Sequence, residues 1–185
     1  MLGRYPISFT HRTSARAKRT RIVVMASGEV VLTTPAGVSL LAGERFVLRH
    51  ARWVMRQKRT LLRRREYLEH RERAREFLSV RVPFFASVLG VSFSRIFVRD
   101  QKTRWGSCSR LGNLNFNYRI VFLPPHLQDY LIVHELAHRV EMNHSARFWD
   151  VVRFVVGDPV VLRRELLGKG QLQDLQIRPK WYDAL

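Results

Sequence analysis

Short alternating runs of apolar and polar residues open the chain. Residues 5–10, 21–25 and 29–34 read as strands, with Ser27-Gly28 as the turn between the last two and Pro35-Ala36-Gly37 as a stop. From about residue 43 to 78 the period changes. Leu48, Trp53, Val54, Leu61, Leu62, Tyr67 and Leu68 recur at roughly helical spacing, which predicts one or two amphipathic helices ending before Val82-Pro83. Ile96-Phe97-Val98 predicts another strand, and residues 114–122 the long second arm of a hairpin entered through residues 110–113. Pro124-Pro125 then opens a helix predicted to reach about residue 141. Two more helices are predicted over 145–156 and 158–167, the second capped by Asp158 with Pro159 in its first position. Strands and helices alternate without an internal repeat, so the expected class is α+β with a small antiparallel sheet. Three parts are expected: basic strands and helix over 1–82, a core over 83–167 and a tail over 168–185.

Composition narrows the function classes. The 185 residues carry 33 Lys+Arg against 15 Asp+Glu, a formal net charge of +18, yet 46% are hydrophobic and 11% aromatic. That much apolar material excludes a disordered polycation. No apolar run reaches the roughly 18–20 residues of a membrane-spanning helix, because the longest, around 127–140, is broken by Asp129, His134, Glu135 and His138. Cys108 is the single cysteine, which points to a reducing, cytoplasmic setting. Residues 2–21 lack the apolar stretch of a secretory signal. Positive charge gathers in residues 12–21 and 45–75, where twelve Lys and Arg face only Glu66, Glu69 and Glu72. Such a face is either a solvated helix surface or a non-specific nucleic-acid or nucleotide contact; no recognised nucleic-acid-binding motif accompanies it.

The chemistry concentrates in His134-Glu135-Leu136-Ala137-His138, a His-Glu-x-x-His pattern on a predicted helix. Residues four apart share a helix face, so His134 and His138 can close on one ion at about 2.0–2.1 Å per nitrogen. Glu135 projects about 100° away, where it reaches a water rather than the ion and serves as general base. With 7 His and 9 Glu in the chain, chance yields roughly 0.01 such patterns. The helix is apolar nearly all round, so it would be buried, and unpartnered buried polar groups cost roughly 1–3 kcal/mol each; a metal resolves that burial. A catalytic zinc keeps three protein ligands. The third candidate is His144, with Glu141 or a residue of the last two helices as the alternative. Asn143 is positioned to end the helix in a left-handed conformation and fold His144 back.

Trp105-Gly106-Ser107-Cys108-Ser109, Asn115-Phe116-Asn117-Tyr118-Arg119, Pro124-Pro125, Val133 to His138, Glu141-Met142-Asn143-His144-Ser145 and Phe148-Trp149 together closely resemble the YgjP-like zinc metallopeptidase family, kin to the SprT-like proteases. The resemblance implies a zincin-type active-site helix, one Zn2+ held by His134, His138 and His144, Glu135 as catalytic base, and a peptide or protein substrate. Beside it, Cys108 reads as a small half-buried side chain, and Trp105 and Gly106 as shaping the strand next to the zinc helix. Arg119 reads as a structural anchor before an oxyanion group. His126 is expected to face solvent, and His11, His50 and His70 have no ligand spacing. Two other functions compete: a zinc-dependent nucleoside triphosphate pyrophosphohydrolase, and a nucleic-acid-binding module with a structural zinc. Glu135 argues against the second, since a structural site has no use for a carboxylate beside its ligands.

Overall fold

A computed structural model describes residues 7–168. The chain forms two compact units that part between Tyr67 and Leu68, earlier than the expected boundary at 82. The expected tail beyond Gly168, and residues 5 and 6 of the first expected strand, lie outside the described residues.

In the first unit, β1 (Thr10–Ser14), β2 (Arg21–Val24) and β3 (Val30–Pro35) form a sheet in the order β1-β3-β2. The expectation of an antiparallel sheet is half right. β2 pairs antiparallel with β3 through the Ser27-Gly28 turn, but β1 runs parallel to β3. The reason is connectivity: β1 begins at Thr10 and a turn separates it from β2, so the chain crosses to lay β2 on the far side of β3. Val30, Val31 and Leu32 on the central strand are buried. Helix α1 (Leu40–Arg49), capped by Ser39, packs on that strand through Gly43, where an added Cβ would lie 2.7 Å from Leu32 Cδ2.

Helix α2 (Ala51–Leu89) begins in the first unit and ends in the second. It does not stop before Pro83, as the sequence predicts, but carries that proline inside it. A proline in a helix interior costs about 3 kcal/mol or more. Val82, Phe85 and Ala86 flank it in the core, and large side chains stabilise by about 1.5–3 kcal/mol each when fully buried, which outweighs the local penalty.

In the second unit, β4 (Arg95–Arg99), β5 (Gly106–Cys108) and β6 (Asn113–Asn117) form a sheet in the order β4-β6-β5. It too is mixed: β5 and β6 make the expected antiparallel hairpin, and β4 is parallel to β6. The long second arm is shorter than expected, because the chain leaves β6 at Asn117 for a 3₁₀ turn over Tyr118–Phe122. Asn117 is buried, and its Oδ1 accepts from the Arg119 N–H at 3.1 Å while its Nδ2 donates to the Gln101 carbonyl at 2.6 Å. Those side-chain bonds offer the backbone an alternative to the ladder, which the continuing alternation of Tyr118, Ile120 and Phe122 conceals. Helices α3 (Pro125–Ala137), α4 (Ala146–Val156) and α5 (Pro159–Gly168) complete the unit. The Arg81 guanidinium of α2 donates to both oxygens of Asp129 on α3 at 2.8 and 2.7 Å. No described helix is long and apolar enough to cross a membrane.

Phe116, fully buried on the central strand β6, ties the sheet to the core. Phe116→Ala should destabilise the protein by about 3–5 kcal/mol in urea unfolding; a loss below about 1 kcal/mol would show that this sheet is not part of the cooperative core.

Candidate metal centre

Helix α3 is apolar on nearly every side. Leu127, Leu131, Ile132, Val133, Leu136 and Ala137 are all buried, so the polar residues between them are carried inward. His134 sits one turn before His138, which is the C-cap of the helix. The helix therefore ends four residues earlier than predicted. Beyond it the backbone tightens, with the Arg139 N–H bonded to the Leu136 carbonyl at 2.8 Å and the Val140 N–H to the Ala137 carbonyl at 2.9 Å.

The turn that returns His144 is not left-handed at Asn143, because no described non-glycine residue has a positive φ. The Glu141 carboxylate does that work by accepting from the Asn143 N–H at 3.4 Å, and Ser145 then caps α4 by accepting from the Phe148 N–H. One nitrogen from each of His134, His138 and His144 lies within 4.8 Å of the other two. The Nε2 atoms of His134 and His144 are 3.2 Å apart. Two nitrogens at about 2.0–2.1 Å from a tetrahedral ion would stand about 3.3 Å apart, so the donor set fits a divalent cation by chemistry and the His134–His144 pair fits it by spacing. Among the described residues this is the group of metal-ligating side chains able to hold an ion. Glu141 lies elsewhere in the network: its carbonyl faces His138 Nδ1 at 3.3 Å, the ring nitrogen donating.

Aromatic rings wall the three imidazoles. Phe148 lies 4.9, 4.6 and 4.7 Å from the rings of His134, His138 and His144, and Trp149 stacks on His144 at 5.6 Å. Burial, reinforced by the positive charge that His138 and His144 would carry if protonated, pushes the His134 imidazole down to about 3; burial also lowers His138. Both are thus held in the neutral form that ligates metal. His134 Nδ1 is buried without a hydrogen-bond partner among the described residues, so its ring is oriented by packing rather than by a polar neighbour.

Glu135, 5% exposed, lies against Gly106 of β5. A Cβ on Gly106 would fall 2.8 Å from both Cγ and Cδ of Glu135. Gly106 is therefore a glycine because the carboxylate side chain occupies the space a larger residue would fill. Burial raises the Glu135 carboxyl to about 8, and a nearby cation would favour its charged form.

Other residues singled out in the sequence are not among the three ligands. Arg119 is buried and bonded to Asp100 at 2.6 Å, with its guanidinium over the Tyr118 ring, an anchor for the loop before β5. Cys108 is half-buried, and burial followed by the Glu135 charge raises its thiol. His126 is exposed and pairs with Glu165 at 2.8 Å. His11 meets Thr34, His50 the Phe46 carbonyl and His70 the Phe122 ring. In the sequence Phe148 and Trp149 had no role beyond their place in the family resemblance; the structure makes them the wall of the site.

A family model described as the YgjP-like metallopeptidase domain matches residues 68–168. Among solved structures, the chain is similar to the metallopeptidase zymogen abylysin of Pyrococcus abyssi, at 22% identity and a TM-score of 0.46, over 52% of this chain and 95% of that one. It is similar also to the zymogen jannalysin of Methanocaldococcus jannaschii, at 22% identity and a TM-score of 0.45, over 50% and 95%. No curated protein matches. Since the matched domain spans more than half of its length, this chain belongs to the YgjP-like metallopeptidase family.

Proposed function

We propose that the protein is a zinc-dependent peptidase in which His134, His138 and His144 hold one Zn2+ and Glu135 is the general base. The observation that carries this reading is the convergence of three imidazole nitrogens, with a buried carboxylate on the same helix that has no structural ion pair among the described residues. When bound, the ion supplies Lewis acidity to a substrate carbonyl and makes water more acidic. Glu135 accepts the proton of the attacking water and hands it to the leaving nitrogen. Gly106 leaves the space that the Glu135 side chain occupies and so helps to place the base. The rings of Phe148 and Trp149 exclude water from the histidines on one side. β5 is an edge strand of its sheet and lies beside α3, so an extended peptide can add to its free edge by main-chain hydrogen bonds. The family favours such a peptide over the nucleotide substrate.

A second partner is supported by one observation. Arg52, Arg56, Arg59 and Arg63 follow i, i+4, i+7 and i+11 spacing on α2 and are all exposed, a continuous basic stripe suited to phosphate backbones.

Three outcomes test these readings. His144→Ala should bind zinc markedly more weakly, while Glu135→Gln keeps about one equivalent and loses about 10²–10⁴-fold in turnover. Loss of metal from Glu135→Gln would remove it as the base. Gly106→Ala should displace the carboxylate and lower kcat on the order of 10²-fold with metal content unchanged; full activity in that variant would mean the contact is incidental. Duplex DNA binding should weaken linearly in log salt at about −0.9 per phosphate contacted, and reversal of Arg52 and Arg56 to Glu should abolish it. A titration that salt does not affect would assign the stripe to solvation alone.

A further inference from the structure

A cavity of about 600 Å³ opens between α4 and α5. Trp149, Asp150 and Arg153 line it from α4, and Pro159, Arg163 and Arg164 from α5. It begins one ring away from the histidines: Trp149, which lines the cavity, stacks on His144 at an interplanar angle of 26° and lies 5.9 Å from His134. The lining carries three arginines against one acid, and that acid is already engaged, its Oδ1 accepting from Arg153 at 2.9 Å. The other carboxylates of this region are engaged as well. Asp158 accepts from the Val160 N–H at 2.9 Å, and Glu165 pairs with His126. No hydrogen bond or ion pair from the described residues reaches Arg163 or Arg164, and the Arg163 charge is close enough to act on His134 and Tyr130.

We propose that this cavity binds a carboxylate of the peptide substrate, with Arg163 as the pairing group and the Trp149 ring as the wall for the methylenes leading to it. The proposal rests on the peptidase reading for its substrate class. A guanidinium and a carboxylate match as two parallel N–H···O bonds, and the volume falls within the roughly 300–1,000 Å³ usual for small-ligand sites. The carboxylate can belong to an Asp or Glu side chain or to a peptide C-terminus.

Occupancy can be read without turnover. The protein is titrated with acetyl-glutamate amide, with acetyl-glutamine bearing a free carboxylate, and with neutral acetyl-glutamine amide, and the NMR shift of the Trp149 indole is followed. Binding of the first identifies a side-chain carboxylate, and binding of the second a terminal one. Arg163→Gln, a change at an exposed position, should weaken whichever binds by about tenfold or more. No shift from any probe, equal binding of all three, or unchanged affinity in Arg163→Gln overturns the proposal. A peptide library cleaved by the zinc-loaded protein separates this from the peptidase reading. Enrichment of acidic groups at one fixed distance from the cut, reversed toward Lys and Arg in Arg163→Glu, supports the pocket. Cleavage without that preference overturns the pocket and leaves the peptidase standing, whereas carboxylate binding with no cleavage of any peptide keeps the pocket and overturns the peptidase.

Discussion

The burial of α3 governs the rest of the second unit. A helix with Leu127, Ile132, Val133 and Leu136 fully buried leaves little solvated surface beyond its first turn, so Glu135 is buried with it and His134 is half-buried. α4, α5 and β5 pack around that helix, and each contact has a chemical consequence. α4 brings Phe148 and Trp149 against the imidazoles, β5 brings Gly106 against the carboxylate, and α5 brings Arg163 toward the same end of the helix.

Burial also sets the protonation of the site. Removing an imidazole from water disfavours its cation, and removing a carboxyl disfavours its anion. His134 is driven down to about 3 and Glu135 up to about 8 by the same cause. A divalent ion is the species that would make this buried polarity favourable. The arginines of α2 are largely exposed.

Close backbone approach fixes what spacing alone leaves open. His134 and His138 share a face by helical periodicity, but the third histidine depends on how tightly residues 139–143 turn. Glu135 is placed by an interatomic contact with a residue 29 positions earlier. Arg119, bonded to Asp100, and Asn117, bonded to the Gln101 and Arg104 carbonyls, hold the loop that delivers β5 to that contact.

The His-Glu-x-x-His spacing, the apolar character of α3, the Asp158 cap and the Ser27-Gly28 turn were legible in the chain because each is a local pattern of a few residues. Strand direction was not: β1 and β4 turned out parallel to their partners, since pairing is decided by crossovers and by which faces need covering. Nor was the passage of α2 through Pro83, where burial of flanking side chains overrides a local rule, or the 3₁₀ turn after Asn117, where one buried amide diverts the backbone from a continuing alternation. At the site, the sequence supplied the donor types, and the tertiary structure brought His144 to 3.2 Å from His134, seated Glu135 on Gly106 and set the arginines of α5 beside Trp149. Those juxtapositions join residues from ten to some thirty positions apart, and only packing of the folded core determines which of them meet.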